Sequence, residues 1–155
     1  MRRKRNIIRE INPDVKYGNI LIAKFINYLM GDGKKTIAQK IIYDSFDILE
    51  EKNKKNALEV FDSAVKNVSP QMEIKSKRIG GANYQVPREV RGERKIALAA
   101  RWLIQAAESK KGKSMAEKLA EEFLLASNNE GSAIKKRADV QRMAEANRAF
   151  AHFGR

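Results

Sequence analysis

The sequence predicts a mainly α-helical single domain: about six helices, a β-hairpin arm protruding between the third and fourth, and a basic N-terminal tail. Three observations predict it. Apolar residues recur at helical spacing in blocks divided by turn and capping signals. The segment from Met72 to Val86 instead shows short alternations around Gly80-Gly81, the sequence form of a hairpin turn. Finally, 155 residues with 43% hydrophobic content can bury one core and need no second domain. The expected division is a tail over 1–16 and a helical domain over 17–155, with the arm at about 72–87.

Taken in order, Pro13 and Gly18 end the irregular stretch, and Ile20, Leu21, Phe25, Tyr28 and Leu29 share one face of a first helix. Gly31-Asp32-Gly33 breaks it. Ile37, Ile41, Ile42, Ser45 and Leu49 mark a second helix, which runs to the polar loop Glu51–Lys55. Asn56 with Glu59 has the form of a capping box, and Ala57, Phe61, Ala64, Val65 and Val68 form the stripe of the third helix. Ser69-Pro70 stops that helix, and Pro87 is expected to end the second strand. A long fourth helix buries Ile96, Ala99, Ala100, Leu103 and Ala107, with Trp102 beside them. Ser114 and Glu117 cap a fifth helix through Leu119, Phe123 and Leu124, and a sixth runs from about Ser132 to Phe150. Because a lone two-stranded hairpin is marginal in water, the arm is expected to rest on something else.

Charge is unevenly placed. The net charge of +13 gathers as +4 in each of 1–16, 71–95 and 135–155, while 17–70 and 96–134 are close to balanced. Three like-signed patches between neutral segments point to several contacts with one polyanion. Lys34 and Lys35 open the second helix, and Lys135, Lys136 and Arg137 lie in the first turns of the last. Cations at a helix N-terminus cost roughly 0.3–1 kcal/mol each, and a phosphate there would reverse the sign. The hairpin adds Lys75, Lys77 and Arg78, followed by Arg88, Arg91, Arg94 and Lys95. Strand alternation sets Lys75 and Lys77 on one face and Arg78 on the other. Tyr84 is the only aromatic of the arm, a weak signal for base stacking.

Other classes are excluded. No run of about 18 apolar residues exists to span a bilayer, and the opening MRRKRNIIREINPD has no apolar stretch of a secretory signal. With no Cys there is no disulfide, thiolate zinc site or thiol nucleophile, a composition that fits the cytosol. GDGKKT at 31–36 resembles a P-loop but lacks the first glycine, has Lys where Ser or Thr belongs, and follows a helix. His152 is the lone histidine, fitted to contact rather than base catalysis; Asp44, Asp47, Glu50 and Glu51 form a solvated helix face. No catalytic constellation, metal site or cofactor is expected. A DNA-architectural protein, gripping duplex without reading bases, is the rival from another class.

The run N-x-L-x-x-x-F-I-x₆-G-K-K-x₅-I-I-x-x-S from Asn19 to Ser45 resembles the signature of the small-subunit ribosomal protein family numbered seven, in its bacterial form. The similarity continues through KSKRIGGANYQVPREVR (75–91), A-x-R-W (99–102), KSMAEKLA (113–120) and AIKKRADVQRMAEANRAFAHF (133–153), in order and over essentially the whole chain. The resemblance implies a cytoplasmic, ribosome-bound protein that binds the 3′ major domain of small-subunit rRNA and nucleates head assembly. It implies an arm reaching toward the exit-site tRNA and the mRNA path, and the small-subunit proteins numbered nine and eleven as neighbours. Carried over by position, the rRNA contacts are Arg2, Arg3, Lys4, Arg5, Lys34, Lys35, Lys75, Lys77, Arg78, Arg91, Arg94, Lys136, Arg137, Arg142, Asn147, Arg148 and His152. Arg78, Gly80, Gly81 and Tyr84 are the arm residues expected near tRNA and mRNA. Where family members often carry Tyr-Arg-Trp after the final His, this chain has Phe153-Gly154-Arg155.

Overall fold

The computed structural model describes residues 10–53 and 56–154. The described elements are α1 (Ile20–Leu29), α2 (Lys35–Asn53), α3 (Ala57–Val68), β1 (Met72–Ile79), β2 (Ala82–Glu89), α4 (Gly92–Ser109), α5 (Met115–Ser127), α6 (Ser132–Ala146) and a 3-10 helix (Arg148–Gly154). The predicted fold class holds, with one difference at the end of the chain. The last α-helix stops at Ala146, where the Asn147 side chain donates to the Met143 carbonyl at 2.8 Å, and a tighter 3-10 turn follows.

Local chemistry explains three of the six described α-helix starts. Asn19 accepts from the Leu21 N–H at 2.7 Å, and Asn56 from the Leu58 N–H at 3.0 Å. Ser114 caps α5 as expected, its hydroxyl accepting from the Glu117 N–H at 3.3 Å, while the Glu117 carboxylate accepts from that hydroxyl at 3.0 Å in place of the Ser114 backbone N–H. Ahead of α1, the buried Asp14 accepts from the backbone N–H of Lys16 and Tyr17 and from the Tyr43 hydroxyl at 2.7 Å. Residues 14–17 are thereby fastened to α2, at the end of the stretch that the charge pattern marks as tail.

Four phenylalanines make the centre. Phe25, Phe46, Phe61 and Phe123, from α1, α2, α3 and α5, are all essentially unexposed. Phe61 meets Phe25 and Phe123 edge to face, with ring centroids 5.4 Å apart in both pairs, near the favoured geometry for aromatic pairs. Each such ring contributes about 1.5–3 kcal/mol by leaving water. Helix α5 is the hub, packing against α2, α3, α4 and α6. In α4 the expected Ile96 is only half-buried, and Ala97, Ile104 and Ala106 join the buried set. Two further assignments of the apolar faces differ from expectation. In α1 the core takes Ile22, Phe25 and Ile26 while Ile20 and Tyr28 face outward, and in α2 Ile37 is exposed and Ala38 buried. Both helices have apolar residues on more than one side, so spacing alone admits two faces and packing selects one.

The hairpin runs antiparallel from Met72↔Glu89 to Ile79↔Ala82, turning at Gly80 and Gly81 with φ of 56° and 94°. Both values lie in the region a two-residue I′-like turn demands, which glycine enters without strain. Strand β2 passes through Pro87 and ends at Glu89, two residues beyond the expected stop. Counting pairs from the turn gives the reason. Ile79–Ala82 closes the loop as a hydrogen-bonded pair and the kinds then alternate, so Ile74–Pro87 is non-hydrogen-bonded and needs no proline N–H. The arm does rest on something: β1 and β2 lie against α6, and β2 against the 3-10 helix.

Helix α6 starts without a side-chain cap of its own, because its N-cap is Gly131, at φ +95°. Its Ala133 N–H donates instead to Oε1 of Glu122, a fully buried carboxylate on α5, at 3.0 Å. The other oxygen of Glu122 lies 2.8 Å from Nζ of Lys110, at the end of α4. One side chain thus ties three helices. A Cβ on residue 131 would sit 2.9 Å from Glu122 Oε1, so the close approach requires glycine as much as the dihedral does.

Candidate nucleic-acid interface

The first cationic point is the start of α2. Asp32 and Gly33 both take positive φ, 52° and 74°, which turns the chain sharply enough for Lys34 N–H to reach Gly31 O at 3.0 Å and Lys35 N–H to reach Gly33 O at 2.9 Å. Lys34 and Lys35 are exposed, and the first turn holds no acid. Lys35 also lines a depression of about 400 Å³ shared with residues 10–15, so the end of the described tail and the α2 N-terminus adjoin. Arg2, Arg3, Lys4 and Arg5 lie outside the described residues.

The second point is the far side of the bundle, where the hairpin, α6 and the 3-10 helix meet. Lys75, Lys77 and Arg78 are exposed, as are Arg88 and Arg91. Arg94 Nε donates to Glu73 at 3.1 Å, which fixes it at the base of the arm. Glu73, Lys75, Arg88, Glu89, Arg91 and Arg94 border a shallow depression of about 300 Å³ there. On α6, Lys136 is exposed, and Arg142 is mostly exposed with a loose 3.7 Å pairing to Asp139. Arg148 is exposed, and His152 Nδ1 lies 2.8 Å from Ala149 O.

Four of the expected contact residues are engaged inside the protein. Arg137 is half-buried and donates to the Asn67 carbonyl, while the Asn67 amide donates to Ala126 O and Ser127 O at 3.0 Å each, so it joins α6 to the ends of α3 and α5. Asn147 is the cap of α6. Tyr84 is half-buried against Phe150 and Phe153, at 5.3 and 5.2 Å between centroids. Lys77 Nζ donates to Phe153 O at 2.7 Å. At the start of α6, the anion that the helix dipole attracts is already supplied by Glu122, so no phosphate is needed to account for Lys135 and Lys136 there.

Among the described residues no cluster of His, Cys, Asp and Glu could hold a metal, and no helix is long and apolar enough to cross a membrane. A helical core with two separated groups of exposed cations, one on a thin hairpin, defines a class, that of nucleic-acid-binding proteins.

Comparison with known proteins narrows this. Residues 1–148 match the family model described as ribosomal protein S7p/S5e. Over 153 residues the chain is 60% identical to the small ribosomal subunit protein uS7 of Thermotoga neapolitana and 59% identical to that of Thermotoga maritima, with 99% of each chain covered. The uS7 protein of Idiomarina loihiensis is 59% identical over 145 residues, which covers 94% of this chain and 93% of that one. The chain belongs to the ribosomal protein S7p/S5e family. With that family it is a ribosomal protein and not an enzyme.

Proposed function

We propose that this chain is a structural protein of the small ribosomal subunit in the cytoplasm, binding the 3′ major domain of its rRNA and nucleating assembly of the head. The arm, through Arg78 and the Gly80-Gly81 tip, reaches toward the exit-site tRNA and the mRNA path. The small-subunit proteins numbered nine and eleven are its neighbours. The observation that carries this reading is the separation of the cations. Lys34 and Lys35 stand on α2, which packs against α1, α3 and α5, while Lys75, Lys77, Arg78, Arg142 and Arg148 stand on elements that do not touch α2. A rigid bundle with cations at both ends holds two RNA segments at a fixed spacing, which is what an assembly protein must do. Few aromatic side chains are free to read unstacked bases, so recognition rests on RNA shape and phosphate placement.

Binding to a 3′ major-domain rRNA fragment and to duplex DNA of equal length, across a salt series, tests the reading. An RNA preference that persists as salt rises is expected of a shaped rRNA site. Equal affinities that collapse together, with a slope set by phosphate count alone, would overturn it in favour of a DNA-architectural role.

A further inference from the structure

The register divides the hairpin into two unlike faces. Lys77 stands opposite Tyr84 and Lys75 opposite Val86, so these four share one face; Ser76 opposite Gln85 and Arg78 opposite Asn83 form the other. The first face is partly covered, with Lys75 and Lys77 still exposed along it. Tyr84 packs against both Phe150 and Phe153, whose own rings are nearly parallel at 6.3 Å, Lys77 Nζ holds the Phe153 carbonyl at 2.7 Å, and Val86 is buried. His152 closes the cluster, its ring 4.0 Å from that of Phe153. On the second face, Ser76, Arg78, Asn83 and Gln85 are all exposed.

We infer that the 3-10 helix Arg148–Gly154 is a strap that fixes the pose of the hairpin arm by its Tyr84–Lys77 face. Tyr84, Phe150 and Phe153 are positioning residues that stack on no base, and the Ser76–Arg78–Asn83–Gln85 face is the one that meets RNA. The physical argument is one of stiffness. A two-stranded ribbon has little stability alone and twists freely, so its direction is set by what lies against it. Beyond its base, the Tyr84 aromatic contacts and the Lys77 bond are what the ribbon leans on, and both come from this strap. The Tyr84 ring is half-buried, and its contacts to Phe150 and Phe153 hold it toward the strap. Arg78, next to the two-glycine tip and on the open face, is free to contact phosphate.

The assignment of the RNA-facing side rests on the proposed function; the strap itself does not. Because the chain has no cysteine, Asn83→Cys and Gln105→Cys introduce unique spin-label sites on the arm and on α4, both exposed. Their distance distribution in the free protein reads the pose of the arm. The parent should give one narrow peak, and Phe150→Ala with Phe153→Ala should lose it to a broad distribution while helical content and the unfolding transition of the core persist. A distribution as narrow as the parent's would overturn the strap. Tyr84→Leu, made in both the labelled and the unlabelled protein, separates positioning from stacking. If Tyr84 positions the arm, this variant and the double phenylalanine variant weaken binding to the 3′ major-domain rRNA fragment to the same degree, and combining them adds nothing. If Tyr84→Leu weakens binding while the labelled arm stays narrow, the tyrosine contacts RNA and the inference fails. Arg78→Gln should lower the salt slope by about one ion, and Lys77→Gln by less. An unchanged slope for Arg78→Gln, with the strap result intact, would refute the arm's RNA contact and leave the strap standing.

Discussion

Replacing Glu122 by alanine should be among the most damaging single changes to this fold, although the residue sits in a run, Glu121-Glu122, that looks solvated. Its carboxylate is fully buried, accepts the Ala133 N–H at 3.0 Å and lies 2.8 Å from Lys110 Nζ. Alanine strands a buried N–H that had a charged acceptor, at about 1.5–3 kcal/mol. It also removes the negative charge at the N-terminus of α6, worth a further ~0.3–1 kcal/mol. Breaking a fully buried ion pair costs about 3–5 kcal/mol, but the Lys110 side chain is 24% exposed and can turn its ammonium to water, so only a fraction of that applies. The expected loss is about 3–4 kcal/mol. For a chain of this size, 1 kcal/mol moves Tm by roughly 2–4 °C, so thermal unfolding followed by circular dichroism should show a drop of roughly 6–16 °C. Glu122→Gln, whose amide oxygen can still accept from Ala133, should fall between parent and alanine. An alanine variant melting within about 2 °C of the parent would refute the claim that this carboxylate joins α4, α5 and α6.

Three further outcomes are expected. Gly131→Ala should destabilise by about 1–3 kcal/mol in denaturant titration, since it puts a Cβ at φ +95° and 2.9 Å from Glu122 Oε1; a neutral result would mean that the turn reshapes freely. Lys34→Gln with Lys35→Gln should leave Tm unchanged and lower the slope of log K against log salt for the rRNA fragment by roughly 1–2 units; an unchanged slope would remove the α2 terminus from the interface. The third concerns alkaline pH. The Tyr43 phenol is raised from 10.0 by burial and by its bond to Asp14, and the Lys16 ammonium is raised from 10.5 chiefly by Asp47. In both cases the folded state holds the proton longer than the unfolded one, so their contribution is whole below pH 10 and is lost as pH rises through the folded-state pKa values. Tyr43→Phe should therefore be less stable at neutral pH yet show a shallower alkaline decline of Tm; a decline as steep as the parent's would sink the assignment to Tyr43.

How far the sequence could be read differs by element for physical reasons. Local chemistry is visible in a string of residues: the Ser114 cap, the Asn56 cap and the Gly80-Gly81 turn are each satisfied within four positions of their own signal, and the structure shows all three. The cations of α2 and of the open hairpin face were legible in the same way, as charges with no local partner. What could not be read depends on partners far along the chain. Arg137 resembles Lys136 in the sequence, yet it bonds to the carbonyl of Asn67, seventy residues away. Tyr84 looks like an available ring until Phe150 and Phe153 are folded onto it. Glu122 carried one usable signal. Helix α6 opens at a glycine with no capping side chain, and a helix without its own cap must find an acceptor elsewhere.

The four-phenylalanine centre also sets a schedule for synthesis. Phe25, Phe46 and Phe61 are made early, but the ring that completes their cluster, Phe123, follows Phe61 by 62 positions, with the whole arm and α4 between them. At about 5–20 residues per second the ribosome needs roughly 3–12 seconds to cover that interval. Throughout it α1, α2 and α3 lack their hub, and their apolar faces stay open beside Lys34 and Lys35. The growing chain therefore presents a cationic, incompletely folded half to its surroundings before it can close, and RNA or a chaperone that engages it then meets a different surface from the finished protein.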